Sequence, residues 1–384
     1  MTIDTAALDA ILSKAVDTGA APGLALIVVD REGVLYSGQA GTAPDAMFRY
    51  ASCTKAVASV AALQLIEQGR MALDDEVATH LPEFGKLQVL DGFDGERPIL
   101  RSPSRPPLVR ELLNHTSGVA YFFTDAKIGK FHELTATPTL PTGQKAALTD
   151  VPLAHDPGTI WAYGTSTDWL GLLVEAISGQ ALDEYVDEHI CTPLGIADMT
   201  FHPDAAQEAR LMPMFARMPG GELVDFEMPL PPDPEWWSGG HGLHGTAADY
   251  GRFMRAILRG GELDGARILK EETVELAFTD SLGGVPLPDG MPTADPMLSN
   301  DVPAYPFAEG WGLGFHLTLE DVPDARRAGT GDWAGLYNLY YFIDRTTGVA
   351  AMLLSQVLPF FDWPIVESFT QVEATIYAGL NAEE

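Results

Sequence analysis

Cysteine is nearly absent from this chain. Cys53 and Cys191 are the only two in 384 residues, too few for a disulfide framework, and both suit a reducing compartment. Basic residues are scarce as well. Against 54 aspartates and glutamates stand 23 lysines and arginines, a net charge of −31, and a surface of that sign repels phosphate backbones and anionic lipids. Neither nucleic acid nor membrane is expected as a partner. No stretch approaches the roughly 20 apolar residues of a membrane span, and the first residues show no basic segment followed by an apolar one. Residues 4–16 have helical spacing instead, at Leu8, Ile11, Leu12 and Ala15. These features describe a cytoplasmic protein. Also missing is the Gly-x-Ser-x-Gly frame of a strand-to-helix nucleophile elbow, which disfavours an ordinary α/β-hydrolase. His241 and His244 have no carboxylate partner of metal-site form nearby and are read as shaping a loop.

What is present is a well-cored globule with 46% hydrophobic residues, long enough for one large or two ordinary domains. Residues 23–30 and 34–38 flank the turn Arg31-Glu32-Gly33 as a β-hairpin. A second hairpin is expected from residues 336–343 and 349–354, followed by a helix over 365–380. The middle differs. Helical patterns at 110–113, 167–177, 182–189 and 247–259 are separated by Pro- and Gly-rich loops at 98–107, 138–157 and 229–234. The expected fold class is therefore α/β (α+β): an antiparallel sheet built from both termini (1–70 and 242–384), flanked by helices, with a mostly helical insertion (71–241). A site belongs in the groove between them. Residues 285–306 are long enough to form a lip over it, though a plain surface loop is the default reading.

Three clusters carry chemistry. Ser52 and Lys55 lie three residues apart at the start of a Pro-free, Ala-rich helical stretch that ends at Gly69, so both fall on one helix face. An amine there can help remove the serine proton. The bare pair has weak specificity: 14 serines and 7 lysines produce about a quarter of such a match by chance, and Ser52 as a plain cap with Lys55 at the surface is the competing reading. Tyr163 sits on a Gly-bounded loop before an apolar helix, where its hydroxyl can reach a reacting centre or simply bond a carbonyl. Gly331-Asp332-Trp333-Ala334-Gly335-Leu336 runs into the late hairpin, and Gly335 permits a close backbone approach that would place the Leu336 amide beside Ser52. Those two amides would make an oxyanion hole.

The order Ser-x-x-Lys, then Tyr163 after Pro157-Gly158-Thr159, then Trp333-Ala334-Gly335 resembles the serine β-lactamase and penicillin-binding-protein superfamily, and within it the class C-like family VIII carboxylesterases. Residues Leu112 to Gly118 and Gly239 to Leu243 add to the likeness, which covers most of 5–380. It implies a β-lactamase/DD-peptidase-like fold, Ser52 as the acylated nucleophile, Lys55 and Tyr163 sharing proton transfer, and the amides of Ser52 and Leu336 as the oxyanion hole. No metal or organic cofactor is implied. Two departures bear on substrate. Thr165 stands where class C β-lactamases carry the amide of Tyr-x-Asn, and Trp333 where they carry the lysine of Lys-Thr-Gly. With Trp333, Gly335 and Thr165 as substrate-binding positions, the expectation is a small neutral ester rather than an anionic lactam. An acyltransferase using an alcohol acceptor, or an amidase of β-lactamase or D-aminopeptidase type, are the alternatives.

Overall fold

A computed structural model describes residues 3–228, 231 and 234–381. Part of the loop expected at 229–234 thus lies outside the described residues. Seven strands form the main sheet: β1 (Leu24–Asp30), β2 (Val34–Ala40), β3 (Glu309–Trp311), β4 (His316–Thr318), β5 (Gly331–Gly335), β6 (Leu339–Asp344) and β7 (Val349–Leu354). Their order is β3-β4-β5-β6-β7-β1-β2, antiparallel throughout. The two ends of the chain meet where β1 pairs with β7, Ala25 opposite Leu354 and Asp30 opposite Val349.

Burial on both faces explains why β1, β6 and β7 read as apolar runs and not as alternating strands. Leu26, Val28, Phe342 and Leu353 face one layer, where helices α1 (Thr5–Asp17) and α5 (Trp363–Asn381) contribute Leu8, Leu12, Ile365 and Ile376. Ile27, Val29, Tyr341 and Met352 face the other, against α2 (Thr54–Glu67), α3 (Ser166–Ser178) and α4 (Ala247–Leu258). No helix among the described residues is long and apolar enough to cross a membrane.

Two expectations need correction. Residues 98–101 are not loop: Arg97–Arg101 pairs with Val89–Asp94 in a two-stranded ribbon, with Pro98 opposite Phe93. Arg97–Arg101 is an edge strand of that ribbon, and an edge tolerates a residue that cannot donate a hydrogen bond. Trp333-Ala334-Gly335 is strand in its own right, and 336–338 is the turn into β6, with Asn338 at φ 61°. The middle region also holds Met214–Arg217, paired with Leu223–Phe226 and with Val357–Leu358. Strands this short carry no periodic signal to read.

Candidate active site

Ser52 lies on a one-turn 3₁₀ helix, Ala51–Cys53, that runs straight into α2. Ala51 before it sits at φ 46°, a left-handed conformation that costs an alanine roughly 1 kcal/mol or more. The turn is nevertheless held. Cys53 N–H donates to the Tyr50 carbonyl at 3.1 Å, and the Tyr250 hydroxyl donates to the Cys53 carbonyl at 2.9 Å.

Because α2 is buried over nearly its whole length, Lys55 is enclosed one turn further on, 2% exposed. A buried lysine must find acceptors. Its Nζ lies 3.2 Å from Ser52 Oγ, 2.9 Å from the Tyr121 hydroxyl and 2.9 Å from the Gly240 carbonyl oxygen. Behind that shell stands Asp168 on α3, a fully buried carboxylate. It accepts from Gly240 N–H at 3.1 Å, from Ser238 Oγ, and from the Tyr121 hydroxyl at 3.5 Å. Burial first, then the charge of Asp168, raises the Tyr121 phenol well above its ordinary value, so Tyr121 stays protonated.

Tyr163 is placed differently. Its ring centroid is 4.8 Å from Lys55 Nζ, while its hydroxyl accepts from Trp333 Nε1 at 3.2 Å. The two tyrosine segments are tied together by Tyr121 N–H donating to the Tyr163 carbonyl at 3.1 Å. His115 packs against Trp161, Tyr163 and Trp311. Burial and the Lys55 charge hold its imidazole well below the usual range, which leaves it neutral.

Opposite Ser52, a Cβ on Gly335 would lie 2.6 Å from the Tyr50 carbonyl oxygen. Only glycine lets β5 approach the serine turn so closely, and this brings Leu336 next to Ser52. Two cavities meet there. One, of about 570 Å³, is lined by Tyr163, Trp333, Gly335, Phe360 and Phe361, with Met291, Val302 and Tyr305 of the 285–306 segment as a wall. The other, of about 180 Å³, is lined by Tyr121, Trp236, Trp237 and Phe201. Ser52, Phe123 and Leu336 belong to both.

Of the residues expected from the sequence, Ser52, Lys55, Tyr163, Trp333, Gly335 and Leu336 thus come together. Thr165 does not: it caps the N-terminus of α3, its carbonyl accepting from Trp169 N–H at 3.1 Å, and lines neither cavity. Tyr121 is the member to which the sequence analysis assigned no part in handling the serine proton. Its signal was its position three residues after Gly118, at the end of the Asn114-His115-Thr116-Ser117-Gly118 run. Among the described residues no group of three or more His, Cys, Asp and Glu is arranged to hold a metal ion.

A sheet with helices on both faces and a serine and lysine at their junction defines the β-lactamase/DD-peptidase-like fold class. The chain belongs to the beta-lactamase family, whose pattern it matches over residues 8–365. It is 33% identical to the lovastatin esterase of Penicillium rubens, across 92% of this chain and 93% of that protein. It is 30% identical to the monacolin J acid methylbutanoyltransferase of Aspergillus terreus, across 87% of this chain and 82% of that protein. The solved structure of simvastatin synthase from Aspergillus terreus superposes with a TM-score of 0.84 at 27% identity, covering 97% of each chain. These relatives place the chain among β-lactamase-like hydrolases and acyltransferases.

Proposed function

We propose that this protein is a serine carboxylesterase of the family VIII type, acting on small-molecule esters through an acyl-enzyme on Ser52. The observation that carries the reading is the Lys55 environment. Gly240 O and the Tyr121 oxygen hold Lys55 Nζ within 3.2 Å of the Ser52 hydroxyl, where an amine is placed to take the serine proton. Ser52 Oγ then bonds to the ester carbonyl carbon as its proton passes to Lys55. Charge developing on the carbonyl oxygen is met by the amides of Ser52 and Leu336. When the carbon–oxygen bond to the alcohol breaks, the departing oxygen takes a proton through Tyr163, whose hydroxyl lies in the larger cavity and is aligned by Trp333. Water repeats the steps in reverse and frees the acid. Tyr121 holds the lysine and is a positioning residue. Two free, buried thiols accord with a reducing, cytoplasmic setting.

Trp333 bears on the substrate. An indole donating to Tyr163 gives a β-lactam carboxylate no cation at that position, and an unpaired charge in the groove is costly. The kcat/KM for p-nitrophenyl butyrate is therefore expected to exceed that for benzylpenicillin by several orders of magnitude, with Trp333→Lys narrowing the gap. Comparable penicillin turnover by the wild type would overturn the esterase reading.

One observation favours a second reading, acyl transfer to an alcohol. Two cavities converge on Ser52, so an acceptor has its own space beside a bound acyl group, and the transferase among the relatives accords with this. Product analysis with a hydrophobic alcohol added to the p-nitrophenyl butyrate reaction separates the two: butyrate as the dominant product supports hydrolysis, the new ester supports transfer.

A further inference from the structure

We infer that Asp168 is the positioning residue behind Lys55, a buried carboxylate that sets both of the groups holding the lysine amine at the Ser52 hydroxyl. Those groups are the Gly240 carbonyl and the Tyr121 hydroxyl, each 2.9 Å from Lys55 Nζ. They come from distant parts of the chain, and one side chain reaches both. Asp168 Oδ1 accepts from Gly240 N–H at 3.1 Å, and Oδ2 accepts from the Tyr121 hydroxyl at 3.5 Å. Gly240 therefore gives its N–H to the carboxylate and its carbonyl to the lysine.

The loop that carries Gly240 is built to lie against the start of α3. A Cβ on Gly240 would lie 2.5 Å from Asp168 Oδ2, and a Cβ on Gly239 would lie 2.5 Å from the Thr167 carbonyl oxygen, so only glycines allow the approach. Ser238 closes the arrangement. Its hydroxyl donates to Asp168 Oδ1 and accepts from His241 N–H at 3.0 Å. With the hydroxyl proton given to Asp168, the His241 ring is the donor in its 2.6 Å contact between Nδ1 and Ser238 Oγ.

Nothing in α3 itself calls for this carboxylate. The residues that follow it, Trp169, Leu170, Leu172 and Leu173, are buried and apolar, and a carboxylate among them is costly unless it is well bonded. All three of its donors lie outside α3, so it serves the loop, the tyrosine and the lysine, and not the helix end. An apolar residue there would leave the Gly240 N–H and the Tyr121 and Ser238 hydroxyls without their acceptor. The titratable groups facing Asp168 are Tyr121 and His241, and those facing Lys55 are Tyr121, Tyr163, His115 and Cys53.

The inference rests on Ser52 and Lys55 acting as in the proposed function, but not on any ester. It is therefore read first with a fluorophosphonate probe, whose phosphorus bonds to Ser52 Oγ as fluoride leaves and the serine proton passes to Lys55. Asp168→Asn keeps an oxygen for Gly240 and Ser238 but loses the charge and the acceptor for Tyr121. Its plateau labelling rate should fall about 10–10²-fold through misplacement of the lysine. A carboxylate favours the protonated form of a nearby amine, so the acid limb of the rate should also move to lower pH by about one unit. Ser238→Ala keeps the charge and should slow labelling a few-fold with the limb in place. With p-nitrophenyl butyrate the same losses should fall on kcat, with KM within about twofold of the wild type. Unchanged plateau and limb in Asp168→Asn, a loss confined to KM, or a loss that merely matches the unfolded fraction seen by circular dichroism overturns the role. If Asp168→Asn does not fold, Ser238→Ala and Gly240→Ala carry the test, since each disturbs the carboxylate, and wild-type labelling rates in both overturn it. Labelling that depends on Asp168 without turnover of any ester keeps the positioning role and removes the esterase reading. Labelling of the wild type at a residue other than Ser52 removes both.

Discussion

The two tyrosines flanking Lys55 are near neighbours, with ring centroids 5.1 Å apart, yet they are wired in opposite ways. Tyr121 belongs to a polar chain that runs through Lys55 and Gly240 to the buried carboxylate of Asp168. Tyr163 belongs to an aromatic wall with Trp333, Trp161 and His115, and its hydroxyl accepts from an indole. The difference teaches that two hydroxyls within reach of one lysine need not share one task. The polar flank holds the lysine, and the aromatic flank borders the larger cavity.

The largest effects should come from the residues common to both flanks. Ser52→Ala and Lys55→Ala should each lower kcat for p-nitrophenyl butyrate by about 10⁴-fold or more, and the double variant should be little worse, since residues acting as a unit are not additive. Tyr163→Phe should follow, losing about 10²–10³-fold in kcat if it delivers the proton. For Tyr121→Phe, a smaller loss of about 10–10²-fold should come with a changed pH profile, because the lysine loses a hydrogen-bond partner while the substrate-facing hydroxyl stays. A larger kinetic defect in Tyr121→Phe than in Tyr163→Phe would reverse the assignment. Trp333→Phe removes the N–H that aligns Tyr163 together with part of the ring, and the lost hydrogen bond of about 1 kcal/mol alone corresponds to a loss of about fivefold.

A further prediction concerns stability on the far side of Trp333. His316 lies between Asp332 and Glu309, each 2.9 Å away, and these carboxylates raise its pKa to about 9 against the opposing effect of burial. With the folded value above the unfolded value of about 6.5, its contribution is fully present below pH 6.5 and is lost as pH rises towards 9. Denaturant unfolding at pH 6.5 and 9.5 should therefore show a drop for the wild type that is smaller in His316→Gln. An equal drop in both would place the pH dependence elsewhere.

The serine-bearing helix was legible because α2 combines helix formers, a Gly stop and a lysine that an otherwise apolar helix has no structural need for. The terminal hairpins were legible because their apolar runs are bounded by turn residues, and the structure moves their ends by only a few positions. What escaped depends on contacts far apart in the chain. Lys55 and Tyr121 are 66 residues apart and Arg49 and His244 are 195 apart, and no local pattern marks either pair. Thr165 was misjudged for the opposite reason. Its place two residues after Tyr163 matched a frame, but α3 begins immediately after it and uses its carbonyl as a cap.

The central claim is that an acyl group passes through Ser52. Rapid acid quenching during turnover of p-nitrophenyl butyrate, followed by intact mass and peptide mapping, tests it directly. The account predicts one added butyryl group, on the peptide containing Ser52 and absent from Ser52→Ala. A butyryl group mapped to any other residue, or full turnover by Ser52→Ala, would contradict it.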